Sequence, residues 1–254
     1  MPPKTVNWLK ARLYPSAGSW DTKLQFIDLV HAYAEGASRV LDLGAGSGWN
    51  PRYDTRLKGC CRQVIGLDLD PKIADNPRLD AGVLGDICTI PLADDSFDVV
   101  FSVMVMEHLP EPARCAAEVC RILRPGGHFL VITPNVCHYV ALASRLTPHW
   151  FHRWFSRKMW AAEREAFPTY YKANTLRTFP RPFEAAGFET VEVRAVEPFP
   201  GYLTFSAPTF LLGALYQRVV ASTSLFRCLR ANIIGVFRKP SPPGAQCDRP
   251  NERN

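Results

Sequence analysis

Val40-Leu41-Asp42-Leu43-Gly44-Ala45-Gly46-Ser47-Gly48 is an apolar run that ends at an acid and then breaks into three glycines at alternate positions. The run reads as a buried strand. Glycine takes positive φ freely and lets a ligand approach the backbone without meeting a Cβ. A strand that feeds a glycine turn and then a helix is how an open α/β sheet builds a cofactor site at the carboxyl edge of its strands. The glycine spacing selects the cofactor. A dinucleotide loop reads G-x-G-x-x-G/A. Counted from Gly44, its third small residue would fall on Trp49, and the glycine arrives one place early at Gly48. A nicotinamide oxidoreductase is therefore disfavoured.

Before this stretch, residues 1–20 are aromatic and turn-rich, with Trp8, Tyr14, Pro15, Gly18 and Trp20. These aromatics read as packing more readily than as pocket walls. Asp21 reads as a helix N-cap, followed at helical spacing by Leu24, Ile27, Val30 and Ala34. That helix is expected to cover the sheet or the cofactor mouth. The first strand is Arg39–Leu43, and Trp49-Asn50-Pro51 delays or shortens the helix after its glycine turn.

Four more strands follow: Gln63–Leu67 ending at Asp68, Gly82–Leu84 ending at Gly85-Asp86, Asp98–Ser102, and His128–Thr133. Asp98–Ser102 is apolar on both faces, as a central parallel strand is. Between the last two, Pro112–Leu123 reads as a helix with a stripe of small and apolar residues, and Pro125-Gly126-Gly127 as a tight turn. Strands alternating with helices imply a parallel sheet with helices on both faces.

The rhythm stops at Pro134. Residues 134–174 contain Trp150-Phe151-His152-Arg153-Trp154-Phe155-Ser156-Arg157-Lys158-Met159-Trp160, which mixes aromatic and basic side chains. The segment reads as a lid, as an interfacial membrane helix or as an inserted helix packed on the core. A short or kinked helix carrying Pro180 and Pro182 ends at the glycine of Ala186-Gly187-Phe188 and feeds a sixth strand, Thr190–Arg194. Residues 197–230 form a second insertion with the apolar run Phe210–Tyr216, too short to span a bilayer, and Asn232–Arg238 is the last strand. The tail from Pro240 is polar and expected to be disordered.

Composition narrows the class. At 254 residues, 47% hydrophobic and 21% charged, the chain suits one large globular domain. The net charge of +6 is uneven. Residues 1–144 carry 14 Lys/Arg against 16 Asp/Glu, and residues 145–254 carry 16 against 8. The basic half could face phosphate, an anionic membrane or an acidic glycan, or be a solvated face. No basic stretch carries base-edge chemistry, so no nucleic acid is expected as a partner. Eight cysteines without a C-x-x-C argue against structural zinc and a stapled secreted scaffold. Reduced thiols in a cytoplasmic protein are the simpler reading. The N-terminus leads into no apolar core, so no signal peptide is expected. No apolar run reaches the ~18 residues of a membrane span.

The sweep from Val40 to Asn135 resembles the small-molecule branch of the class I S-adenosylmethionine-dependent methyltransferases, often called type 11. The matching pieces are the glycine stretch, then Gly66-Leu67-Asp68, Gly85-Asp86-Ile87, and Leu92 through Ser96-Phe97-Asp98. Glu107-His108-Leu109-Pro110, Arg121-Ile122-Leu123-Arg124-Pro125-Gly126-Gly127 and Thr133-Pro134-Asn135 complete them, in the family's order. The resemblance implies a Rossmann-like, mostly parallel seven-stranded sheet whose last strand is antiparallel, with helices on both faces and lid insertions. It implies one domain over 1–254: an N-terminal helical cover (1–38), a cofactor-binding core (39–135), acceptor-side insertions (134–174 and 197–230) and a tail (240–254).

It also implies S-adenosyl-L-methionine as cofactor, met by Asp42, Gly44, Ala45, Gly46, Gly48, Asp68, Leu69, Asp86, Ile87, Ser102 and Val103. Asp68 would accept from both ribose hydroxyls, since each carboxylate oxygen can take one donor. Leu69 would lie against the adenine, with Asp86 accepting from its amino group and Ile87 beside it. Asp42 would act near the loop through water or the donor's amino group. Ser102 and Val103 would border the methionine end.

A sulfonium donor is already activated, so aligning the acceptor supplies much of the acceleration, and a hydroxyl acceptor also benefits from a general base. The candidates are His108 first, then Glu107 and His138. Glu107-His108 reads equally well as packing and capping residues. The O-methyltransferases of ubiquinone synthesis resemble this region but carry E-x-x-E-H, read as a metal site. Here Met104 stands at the first glutamate position, and no catalytic metal is expected. Residues 134–174 also resemble bacterial members that modify glycans or lipid-linked glycans. The expected reaction is O-methylation of a small-molecule, glycan or lipid-linked acceptor. A non-catalytic S-adenosylmethionine-binding partner subunit is the alternative. The expected location is cytoplasmic, with peripheral contact at the anionic inner membrane face as an open variant.

Overall fold

The computed structural model describes residues 2–16, 20–48, 57–146 and 168–242. The strands are β1 (Arg39–Leu43), β2 (Gln63–Asp68), β3 (Ala81–Leu84), β4 (Phe97–Val103), β5 (Leu123–Pro134), β6 (Glu189–Val196) and β7 (Asn232–Arg238). They form one seven-stranded sheet in the order β3-β2-β1-β4-β5-β7-β6. β1 to β5 pair in parallel, and β7 runs antiparallel to both β5 and β6. The carboxyl ends of β1 to β6 therefore share one edge of the sheet. The connection from β6 to β7 lies on that same edge.

The helices are α1 (Lys4–Leu13), α2 (Thr22–Ala34), α3 (Pro112–Ile122), α4 (Tyr139–Leu146), α5 (Arg181–Ala185) and α6 (Ala207–Ser222). Successive strand side chains point to opposite faces, and the core divides accordingly. On one face Leu41, Leu43, Val100, Phe129, Val131 and Phe237 pack with α3 and α5. On the other, Val40, Val99, Phe101, Leu130, Ile132 and Val236 pack with Phe26, Val30 and Ala34 of α2. The alternation inside single strands is what a sheet covered on both faces requires. Gly235 serves close packing: a Cβ there would lie 2.6 Å from the Phe179 ring.

The structure sharpens three readings of the sequence. First, within the N-terminal helical cover, Lys4–Leu13 is itself a helix. Val6 is buried, and Lys10 and Arg12 stand in the last turn, where cations favour the helix dipole. This helix packs on α6 through Val6, Tyr14, Phe210 and Ala214. Second, the Pro125-Gly126-Gly127 turn does not precede the fifth strand but lies within it. Pairing with β4 jumps from Phe97↔Leu123 to Val99↔His128, and the Gly126 N–H and Gly127 carbonyl bond Lys239. Third, the second insertion contains a capped helix, α6, whose N-cap Ser206 and Thr209 form a reciprocal capping box. The proposed lid core Trp150–Trp160, the Trp49-Asn50-Pro51 delay and the tail from 243 onward lie outside the described residues.

Candidate active site

The glycine turn is clasped from two sides. Gly44, Gly46 and Gly48 all have positive φ. A Cβ on Gly44 would lie 2.4 Å from Val105 Cγ2, and one on Gly48 2.2 Å from Asn76 Oδ1. Glycine is thus required twice, for space as well as for backbone angle. Among the described residues, a Cβ on Gly46 would meet nothing within 4 Å, so the turn has an open side toward them. The Gly46 N–H donates to Asp68 Oδ2 at 2.8 Å, and the Asp70 N–H donates to Oδ1 at 2.8 Å. Asn76 Nδ2 donates to the carbonyls of Ala45 (3.3 Å) and Gly46 (3.0 Å). Asn76 is buried. The sequence reading missed it, because a lone Asn beyond a strand carries no spacing signal.

Asp68 thus spends one lone pair of each oxygen on backbone donors. A carboxylate offers about four such positions, so both oxygens keep capacity for a diol. Asp42 lies on the strand ahead of the turn. Burial pushes its carboxyl up to about 7, with the Asp68 charge adding and Arg78 opposing. Leu69 is 62% exposed, an apolar face presented beside the turn. Asp86 Oδ1 accepts from the Cys88 N–H at 2.8 Å, which orders the loop beyond β3. Ile87 is buried next to it. Ser102, in register with Leu43, has a buried Oγ without a hydrogen-bond partner among the described residues. Val103 ends the same strand. Met104 follows at φ +57, a region non-glycine residues seldom adopt. Open glycine backbone, two strand-end carboxylates, an exposed apolar platform and an orphaned hydroxyl suit a ligand with a diol, an aromatic base and a charged amino acid.

The acceptor-side candidates fall into two groups. Glu107 and His108 sit on a 3-10 turn, Met106–His108, just past β4. Glu107 is buried and its Oε2 accepts from Thr133 Oγ1 at 3.1 Å. Thr133 Oγ1 in turn accepts from Asn174 Nδ2 at 2.7 Å. Burial holds the Glu107 carboxyl above its usual range, partly offset by its own backbone N–H, by His108 and by Thr133. His108 Nδ1 lies 2.9 Å from the Pro168 carbonyl. A carbonyl only accepts, which assigns the proton to Nδ1 and makes Nε2 the basic nitrogen. Nε2 lies 3.9 Å from Glu107 Oε1. The Tyr170 N–H donates to the Glu107 carbonyl at 2.8 Å, so the described end of the 134–174 insertion folds over this turn.

His138 stands elsewhere on the edge. It is buried with Nε2 3.4 Å from Glu197 Oε1, at the end of β6. Its ring meets those of Tyr139 and Tyr216. Burial, then Glu197, push the Tyr139 hydroxyl up strongly and that of Tyr216 to about 12. Asn135, at the end of the Thr133-Pro134-Asn135 motif, is a staple. Its Nδ2 donates to the carbonyls of Cys228 and Arg230, each at 2.8 Å. A cleft of about 520 Å³ lined by Arg39, Arg62 and Arg124 opens at the amino edge of the strands, opposite all of these groups.

Comparison with known proteins fits this geometry. Residues 41–131 match the family model described as a methyltransferase domain. A probable S-adenosylmethionine-dependent methyltransferase of Mycolicibacterium smegmatis is 42% identical over 101 residues, 38% of each chain. Residues 41–131 are thus similar to an S-adenosylmethionine-dependent methyltransferase domain. A probable S-adenosylmethionine-dependent methyltransferase of Mycobacterium tuberculosis is 37% identical over 105 residues, covering 39% of this chain and 36% of that one. The chain thus spans little more than a third of the length of these relatives. Among solved structures, an S-adenosylmethionine-dependent methyltransferase from Mesorhizobium loti superposes with a TM-score of 0.55 at 19% identity, covering 87% of this chain and 99% of that one. The [4+2]-cyclase SpnF superposes at 0.54 with 18% identity over 86% and 81%. The class I methyltransferase fold thus extends beyond the matched segment, and the fold alone does not name the reaction.

Proposed function

We propose that this protein moves the methyl group of S-adenosylmethionine to an oxygen of a small-molecule, glycan or lipid-linked acceptor. The observation that carries the reading is the Asp68–Gly46 clasp beside the Glu107-His108 turn. A donor cradle and a proton-accepting pair share one edge of the sheet. The bound donor supplies a methyl already activated by its sulfonium. Asp68 binds the ribose diol, Asp86 the adenine amino group, and Leu69 and Ile87 the adenine faces. Gly44, Ala45, Gly46 and Gly48 give backbone approach, Asp42 faces the amino group, and Ser102 and Val103 border the methionine end.

His108 Nε2 takes the proton of the acceptor hydroxyl as the new carbon–oxygen bond forms and the carbon–sulfur bond breaks. Glu107, 3.9 Å away, stabilises the imidazolium that results. Pro168 fixes the ring so that the accepting nitrogen is the correct one. The described relatives named as methyltransferases favour turnover over a binding-only subunit. Residues 1–38 act as cover and the insertions 134–174 and 197–230 build the acceptor side, with His138 and Glu197 at its far wall. The proposed location is the cytoplasm, with peripheral contact at the inner membrane face as the open variant.

Two measurements test this. Calorimetry with S-adenosylhomocysteine should show binding, and silence from folded protein would overturn the cradle. A scan of hydroxyl-bearing acceptors for S-adenosylhomocysteine release, followed by mass detection of a +CH₂ product, tests turnover. Release traced to a methylated nitrogen would overturn the oxygen assignment.

A further inference from the structure

A surface helix ordinarily turns a polar face to water, and α6 does not. Its inward positions Phe210, Gly213, Ala214, Gln217 and Val220 are buried. Its outward positions include Leu211, Leu212 (65% exposed), Leu215 (60%) and Val219. The helix is seated so that it cannot roll these leucines inward. A Cβ on Gly213 would lie 2.6 Å from Pro200 Cβ. Arg230 ties the far end, donating to the carbonyls of Val220 (2.9 Å), Ala221 (3.2 Å) and Thr223 (3.3 Å). Apolar exposure continues into the next turn at Leu225 (76%) and Phe226, and α1, packed against α6, adds Trp8 (63%).

Charge on this side has one sign. No Asp or Glu precedes Asp21, and none stands between Glu197 and Asp248. Lys4, Arg12, Arg218 and Arg227 are exposed on these elements, and Arg12 lies over the Trp8 ring at 5.8 Å. We propose that the outer face of α6, with Leu225 and Phe226, docks on an anionic lipid surface. Apolar side chains enter the acyl boundary and the arginines and lysines meet lipid phosphates. At 16 residues α6 is about 24 Å long, and no helix among the described residues is long and apolar enough to cross a membrane. The helix therefore lies flat in the interface. A second copy is the poorer occupant. A twofold interface opposes the same patch to itself, and a face with cations but no acids then meets like charge.

The test is co-sedimentation of the full chain with vesicles of phosphatidylglycerol mixed with phosphatidylcholine, against phosphatidylcholine alone. The expected result is binding to the anionic vesicles only, weakened at high salt. Leu212→Glu/Leu215→Glu should weaken it by about tenfold or more, since each change replaces inserted apolar area with a charge of the lipid's sign. Arg227→Gln should weaken binding at low salt and leave less salt sensitivity. Calorimetric binding of S-adenosylhomocysteine, unchanged in all three proteins, shows the variants folded and separates this proposal from the cofactor assignment. Absence of vesicle binding at low salt overturns it. So does equal binding by the double variant, or a dimer seen by light scattering that the double variant splits while both ignore vesicles.

Discussion

The Gly46 N–H and the Asp68 carboxylate, 22 residues apart in sequence, are joined by a hydrogen bond of 2.8 Å. One side chain therefore both shapes the glycine turn and is the group assigned to the ribose. Asp68→Asn keeps the size but loses the charge and turns half of the acceptor into a donor. Hydrogen bonds to charged groups contribute about 1.5–3 kcal/mol each. Losing the two assigned to the diol should weaken S-adenosylhomocysteine by about a hundredfold or more. Calorimetry on Asp68→Asn checks it, and an unchanged Kd would place the ribose elsewhere.

Asn76 holds the turn from the other side. Asn76→Ala leaves the carbonyls of Ala45 and Gly46 without that donor. The expected cost is about 1–3 kcal/mol of stability, with weaker cofactor binding. Gly48→Ala should do comparable harm, because its Cβ lands on the Asn76 side chain and its φ of +66 disfavours alanine. Urea unfolding of both variants provides the measurement, and stabilities matching the parent protein would show the turn to be held by other contacts.

Asp42 makes stability depend on pH with a definite sign. Its carboxyl is raised from 3.8 to about 7 in the folded protein, first by burial. The folded chain therefore holds this proton more tightly than the unfolded one. Its contribution is most favourable below pH 3.8 and is lost as the pH rises to about 7. Asp42→Asn cannot titrate, so its unfolding free energy should fall less than the parent's across that window. Parallel curves would remove Asp42 as the cause.

His108→Ala should lower kcat by about 10²–10⁴, the usual worth of a general base, with little change in cofactor Kd. Glu107→Gln keeps the Thr133 hydrogen bond but removes the charge beside Nε2. It should lower kcat, since the imidazolium formed during transfer loses the carboxylate that stabilises it. A kcat equal to the parent's would assign Glu107 to packing.

Phe237 lies within 4.4 Å, centroid to centroid, of Phe183 and stacks near Phe129 at 6.5 Å. It is fully buried on the antiparallel strand. Phe237→Ala should cost about 3–5 kcal/mol by transfer and cavity terms, read from the denaturant midpoint. A loss under 1 kcal/mol would mean the aromatic cluster collapses to fill the space.

The strands were legible because each is a short apolar run ended by an acid or a turn, and Asn232–Arg238 was read with its bounds as observed. The place of Asp68 at the end of β2 was legible for the same reason, since chain order fixes it. Asn76 was not, since its partners are backbone carbonyls of a turn 30 and 31 residues earlier, and only the folded loop brings them together. Nor was the Thr133–Asn174 link under Glu107, which spans 41 residues. The bounds of helix α1 within the helical cover were not legible, because Val6, Leu9 and Leu13 sit among aromatics and prolines that dominate a local reading. The outward leucines of α6 read simply as apolar, because sequence spacing alone did not show which side of the helix the core would claim.

β7 inserts between β5 and β6, so the chain returns from β6 at the very edge where the donor cradle sits. The consequence is a division of labour between exchangeable and fixed parts. On the acceptor-side role proposed for residues 197–230, changes in length or composition between Glu197 and Ala231 would retune what is recognised without touching the first three strand ends. The same core can thus be inherited intact while its clientele changes.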